Sequence, residues 1–191
     1  MNGQMVKRLG VLLVGLGFSG IAAAHPGHVE GAGILAGLLH PLTGWDHLLA
    51  ALAVGLVASR ERSRQAWLLP LLFVSVMLAG VGLAAAGVTL WQPEWMIIAS
   101  LLVLGAMLFF DYRPAQFAAA GLIGLFAVFH GYLHGSEMPL TAHPFGYVAG
   151  LLAATFTVHV SGILLGRFSH TAWVKIYGLV IGSAGVLAVV G

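Results

Sequence analysis

Cysteine is absent from this 191-residue chain, which removes disulfides, thiolate metal sites and thiol nucleophiles from consideration. Charge is scarce as well. Lys, Arg, Asp and Glu together supply 7% of the residues, against about 25% in an ordinary soluble domain. Eight basic residues stand against six acidic ones, for a net charge of +2. No basic run is long enough to follow a phosphate backbone, so nucleic acid is not an expected partner. The chain also lacks a low-complexity linker, a convincing internal repeat and room for a large soluble domain.

What fills the chain is apolar: 60% of residues are hydrophobic and the mean hydropathy is +0.99. This composition defines an integral membrane protein whose first partner is the lipid bilayer. The anomaly is histidine. Nine histidines outnumber the eight lysines and arginines, in a chain with little watery surface to hold them.

Residues 1–24 read as a cleavable signal peptide. Lys7 and Arg8 precede a short apolar core, Leu9 to Ile21, and Ala22-Ala23-Ala24 offers the small residues a signal peptidase reads. The rival reading is an uncleaved first helix. That core is shorter than the roughly 20 residues a span needs, and His25-Pro26 follows at once. Cleavage after Ala24 would leave His25-Pro26-Gly27-His28 as the mature N-terminus. His25 and His28 are then candidate outer capture ligands, with a plain polar leader as the alternative.

Six apolar segments follow, at about Gly33–Ala58, Ala66–Ala86, Trp95–Phe110, Ala115–His134, Pro144–Gly166 and Ala172–Val190. Most are near the length of a spanning helix. The expected fold is all-α: one domain over residues 25–191, a polytopic bundle of six transmembrane helices after the signal peptide. The 27 glycines are dense in every segment and suit close helix packing in lipid. Orientation follows from charge. Arg60, Arg62 and Arg64, then Arg113, then Arg167 and Lys175 fall at alternate connections, while the other connections carry Glu94 and Glu137. The positive-inside rule then puts the arginines in the cytoplasm of a bacterium, the chain in its inner membrane and the mature N-terminus in the periplasm. Trp91, Trp95 and Trp173 lie at segment ends, as an aromatic belt would. Trp45 does not.

Trp45 belongs to the stretch His40-Pro41-Leu42-Thr43-Gly44-Trp45-Asp46-His47. A charged group at the centre of a spanning helix costs about 2.5–3.5 kcal/mol on insertion scales and so faces a cavity or a partner. Pro41 removes a backbone donor and Gly44 adds freedom, and broken helices at membrane depth line cavities and hold ions. A merely kinked helix would point His40 and His47 the same way. Asp46 can ligate a metal or orient its neighbouring imidazole.

His130 and His134, four residues apart, share a helix face that Glu137 continues if the helix persists. The spacing matches a zincin helix, but Gly131 stands where the catalytic Glu would be, so these are candidate ligands and no protease base is expected. His159 lies roughly 22 Å below the outer end of its segment at 1.5 Å per residue, close to the depth of Asp46 and His47. These groups could meet. His143 and His170 lie at opposite membrane edges and read as bystanders. Asp111 and Arg113 read as an ion pair in a turn. The metal candidates are therefore His40, Asp46, His47, His130, His134, Glu137 and His159, arranged as a series of stations through the bilayer.

These residues resemble the HupE/UreJ family of hydrogenase and urease accessory membrane proteins. The resemblance rests on His40-Pro41, Gly44 and Asp46-His47 with Leu48-Leu49-Ala50, on Phe129-His130-Gly131, His134-Gly135 and Glu137-Met138-Pro139, and on Ala154-Thr155 with His159 and Gly162. It covers nearly the whole mature chain. It implies nickel permeation, by facilitated diffusion or secondary transport, in the service of nickel enzymes. Two departures concern metal preference: Tyr132 stands where many relatives carry histidine, and Ala51 where many carry methionine. The expected function is import of a divalent metal ion, nickel first, with cobalt and zinc as the other candidates. No permanently bound cofactor and no enzymatic activity are expected, and homo-oligomer formation is left open. Neutral imidazoles ligate and protonated ones do not, so transport should depend on pH. Two rivals stand beside it. One is an intramembrane zinc-dependent hydrolase using three histidines, Asp46 and Ser161 to activate water. The other is a membrane-anchored metal chaperone or sensor.

Overall fold

The structure is a computed structural model, which describes residues 29–61 and 64–190. The expected signal peptide and the capture ligands His25 and His28 lie outside the described residues. Within them the chain is all-helical: α1 (Val29–Thr43), α2 (Trp45–Ala58), a 3-10 turn (Gln65–Trp67), α3 (Leu68–Ala85), α4 (Glu94–Phe109), α5 (Gln116–Ser136), α6 (Pro144–Phe168) and α7 (Thr171–Val190). Four of these are long and apolar enough to cross a membrane, and five if the bent pair α1–α2 forms one span. The expected third segment is the short one: α4 has 16 residues, about 24 Å at 1.5 Å per residue.

The first apolar segment is broken, with 83° between its halves. The break falls at Gly44, whose extended backbone (φ −83°, ψ 102°) separates the two helices. Pro41 does not make it. Proline lies inside α1, which runs on to Thr43. A break inside lipid leaves peptide groups that need partners, and the chain supplies them locally. The Thr43 hydroxyl donates to the His40 carbonyl at 2.8 Å, and the Leu48 amide donates to the Gly44 carbonyl at 2.9 Å.

Glycine contacts give the path of this broken element. Gly33 abuts His143 at the start of α6, Gly37 abuts Tyr147, Gly55 abuts His159, and Gly166 near the end of α6 abuts Ser59. The two halves therefore follow α6 from one end to the other. Elsewhere α3 lies parallel to α5, with Gly131 against Met77 and Gly135 against Val81 and Ala84, and α4 lies antiparallel to α7, with Gly105 against Gly178 and Gly182 and Gly185 against Leu101. In each pair a Cβ would run into backbone, so small residues set the approach of these helices.

One end of the bundle gathers the arginines. The Arg60 side chain, only 8% exposed, meets Asp111 at 3.3 Å. It also donates to the carbonyls of Met107 and Leu108 at 2.9 Å each. Those carbonyls belong to the last turn of α4 and also accept from the Tyr112 and Asp111 amides at 2.9 and 3.4 Å. Asp111 takes a left-handed backbone (φ 52°) just past α4 and meets Arg113 at 3.4 Å, as the sequence suggested. Trp45, the odd tryptophan, is 51% exposed at the start of α2.

Candidate metal path

The side chains that the sequence singled out form a file of rings. It starts at Glu137, the residue that caps the end of α5, whose side chain is 48% exposed. Its Oε2 lies 3.1 Å from His40 Nε2. The His40 ring lies 5.0 Å, centroid to centroid, from that of His134. The His134 ring lies 4.5 Å from that of His47, and the His47 ring 5.3 Å from that of His130. The helix geometry explains the sharing. His130 and His134 are one turn apart on α5 and both buried, while the break at Gly44 brings His40 and His47, one from each half of the bent element, to the same face of α5.

Two of these imidazoles are held by one nitrogen. The carboxylate Asp46 Oδ1 accepts from the His47 amide at 2.9 Å and from His47 Nδ1 at 3.0 Å. His130 Nδ1 donates to the Phe126 carbonyl at 2.8 Å. A carbonyl can only accept, so His130 carries its proton on Nδ1 when neutral and presents a lone pair at Nε2. Orientation of this kind, by a carboxylate or a carbonyl, is the usual setting of a metal-binding imidazole. Of the two roles open to Asp46, orienting its neighbour is the one the geometry favours. His47 Nε2, His130 Nε2 and His134 Nδ1 are buried and lack a hydrogen-bond partner among the described residues. Such buried orphans are costly, and a cation would satisfy them. At the Glu137 end His40, His134 and Glu137 each offer a ligand atom, all within 4.8 Å of one another. Imidazole and carboxylate together suit a first-row divalent ion.

His159 is a correction. The expected meeting with Asp46 and His47 does not occur. His159 lies one helical turn past Thr155 on α6 and packs its backbone against Gly55, well along α2 from His47. Its ring lies against Phe73 at 4.9 Å, and the other side of the contact chain, His130, lies 5.3 Å from the same Phe73. Both ring nitrogens of His159, and Thr155 Oγ1, are buried without a partner among the described residues. His143 caps the start of α6 and His170 accepts from the Ala172 amide at 3.3 Å. Both lie away from the file of rings.

Two contributors were not visible in the sequence. Tyr147, fully buried, donates its hydroxyl to the His134 carbonyl at 3.1 Å and lies 5.7 Å from the His40 ring. It steadies both outer imidazoles. Phe73 touches both His130 and His159. An aromatic in an apolar helix carries no periodic signal that marks it, although Tyr147 lies four residues after His143 in the helix that holds His159.

A polytopic helical membrane protein with a buried file of imidazoles, opened by a carboxylate at one end, is the class that fold and site define. Comparison with known proteins narrows it. The chain belongs to the HupE/UreJ family: the model described as HupE / UreJ protein matches residues 12–188. It is 38% identical over 190 residues to Protein HupE of Rhizobium leguminosarum bv. viciae, covering 97% of this chain and 98% of that one. No solved structure gives a significant match.

Proposed function

We propose that this protein imports a divalent transition-metal ion, nickel first, across the bacterial inner membrane for the maturation of a nickel enzyme. The observation that carries the reading is the run of contacts from exposed Glu137 through His40, His134 and His47 to buried His130. A structural metal needs one closed set of four ligands. A succession of partial sites, each sharing a ring with the next, suits an ion in transit. His40, His134 and Glu137 take the ion first, His47 and His130 receive it, Asp46 orients His47, and His159 is the deep station. Six crossings, α1–α2 counted as one and α4 as a short one, keep the arginine end in the cytoplasm and Glu137 in the periplasm, after removal of residues 1–24. His25 and His28 then lie on the side from which the ion comes. Nickel ranks ahead of cobalt and zinc because the family resemblance implies it.

The hydrolase reading loses Ser161 from the set that would activate water. Ser161 is exposed and donates to the Thr157 carbonyl at 2.9 Å on the outer face of α6, away from the imidazoles. A chaperone or sensor would bind the ion without carrying it, and flux separates that reading from transport. Nickel-63 uptake by cells carrying wild type, Asp46→Ala and His47→Ala tests the assignment. Both substitutions are expected to abolish high-affinity uptake, and uptake should fall as external pH drops and imidazoles protonate. Unchanged uptake in both variants refutes the roles given to this pair.

A further inference from the structure

One side chain interrupts the file of nitrogens. Phe73, on α3, is 1% exposed and packs against both His130 and His159, edge-on to each, with interplanar angles of 67° and 80°. On the outer side, His130 is linked ring by ring to Glu137. On the inner side, His159 has both nitrogens buried and unpartnered among the described residues. An ion leaving His130 for His159 therefore meets a benzene ring that offers it no lone pair. The helix that bears Phe73 packs backbone to backbone on α5, with Gly131 of α5 directly on the Met77 backbone and Gly80 of α3 on the Val128 carbonyl. The smallest motion that would clear both imidazoles is rotation of the Phe73 side chain.

From this placement we infer that Phe73 is the gate of the path: an aromatic plug that closes His130 off from His159 and swings aside to let the ion through. This rests on the transport reading of the same site. Hydrophobic constrictions gate other permeation paths in the same way, by denying the ion both ligands and water. The role belongs to Phe73 by position, since it touches both stations and can ligate neither ion nor water. α3 carries no acidic, basic or histidine residue, so the helix contributes the plug and none of the titratable ligands.

The test uses the full chain, purified and reconstituted, with wild type, Phe73→Leu, Phe73→Ala and Phe73→Trp. Two quantities are read: downhill nickel-63 flux into proteoliposomes and equilibrium Ni2+ binding by calorimetry in detergent. Phe73→Leu and Phe73→Ala are expected to raise flux, by about threefold or more as the constriction widens, and Phe73→Trp to lower it by about tenfold. Binding should stay within about twofold in every variant, because the outer ligands are untouched. Flux at the wild-type rate in Phe73→Leu and Phe73→Trp overturns the gate while leaving transport standing. So does a fall in flux that tracks a fall in binding, which marks a merely structural residue. Phe73→Leu keeps an apolar side chain in the core, so the question is decided even if Phe73→Ala does not fold. If wild type neither binds nor carries Ni2+, the transport reading fails, and the gate with it.

Discussion

Replacing Gly37 by alanine should cost stability and metal binding together. Gly37 is the point where α1 touches α6. A Cβ there would overlap the Tyr147 carbonyl oxygen, and it would stand 2.7 Å from the Tyr147 carbonyl carbon and 2.9 Å from the Leu151 nitrogen. All three are backbone atoms and none can rotate away. Reaching an ordinary 3.4 Å contact from 2.7 Å requires α1 and α6 to part by roughly 0.7 Å or more. Overpacking of this kind costs about 1–3 kcal/mol, and alanine recovers about 0.5–1 kcal/mol of helix propensity. The net loss is about 0.5–2 kcal/mol, or about 1–8 °C of melting temperature in a chain of this size. Gly124→Ala on α5 is the control, because a Cβ there meets nothing within 4 Å. It should be neutral or raise the melting temperature by about 1–4 °C. Five tryptophans let intrinsic fluorescence follow both melts in detergent. The displacement also reaches the site, since His40 lies one turn beyond Gly37 and its ring has the Tyr147 ring as a neighbour. Gly37→Ala should therefore weaken Ni2+ binding where Gly124→Ala does not. If Gly37→Ala melts at or above wild type, or if the two alanines destabilise equally, the argument from backbone contact is wrong.

Glu137→Gln keeps the side chain's size and removes the charge that faces His40. Equilibrium Ni2+ binding should weaken by about 10–100-fold, the scale on which metal sites respond to loss of an orienting partner, with little change in melting temperature. Arg60→Gln removes the ion pair with Asp111 and weakens both bonds to the last carbonyls of α4. Hydrogen bonds to charged groups contribute about 1.5–3 kcal/mol each, so the melt should fall clearly, and Arg60→Lys should restore only part of it because one ammonium cannot span two carbonyls and a carboxylate as a guanidinium fork does. A melt unchanged in Arg60→Gln would mean that this arginine serves orientation in the membrane and not the fold.

Chemistry-bearing residues were legible in the sequence because the bilayer makes them expensive. His40, Asp46, His47, His130 and His134 stand out against apolar neighbours, and the i, i+4 spacing already put His130 and His134 on one face. Depth counting put His134, His130 and His40 at one level, and the His40 and His134 rings do meet. It put His47 deeper, with His159, whereas the His47 ring lies against those of His134 and His130, because the 83° bend at Gly44 ends the constant rise that the count assumes. Rise also gives the height of a residue and says nothing of its azimuth, and the His159 ring faces Phe73. The break was misassigned in part for a related reason. Pro41 forbids one hydrogen bond but tolerates helical φ, and it falls so near the end of α1 that little helix remains to be disrupted. Gly44, with no Cβ to restrict it, takes the extended conformation that ends the helix. Arg60 looked like any other inside charge. Only the packing of α2 against the end of α4 separates it from the exposed Arg113.

The distribution of negative charge along the path bears on how an ion would leave it. Towards the Glu137 end the stations are charge-compensated: Glu137 faces His40, and Asp46 holds His47. Past Phe73 the recorded ring contact of His159 is to phenylalanine, and its nitrogens have no partner among the described residues. A divalent ion is held most firmly where carboxylates offset its charge and where the imidazole's other nitrogen is hydrogen-bonded to an acceptor, which makes it more basic. By both measures His159 is a weaker ligand than His47, which Asp46 holds, or His130, whose Nδ1 donates to the Phe126 carbonyl. Conduction needs sites strong enough to load and weak enough to release, and a weak last station serves release. The same gradient explains the value of a plug. Without Phe73, a strong outer site and a weak inner one would be joined by continuous contact, and protons, which compete for every imidazole, could follow the ion's path. An apolar ring between His130 and His159 breaks that relay while costing the metal a single side-chain rotation.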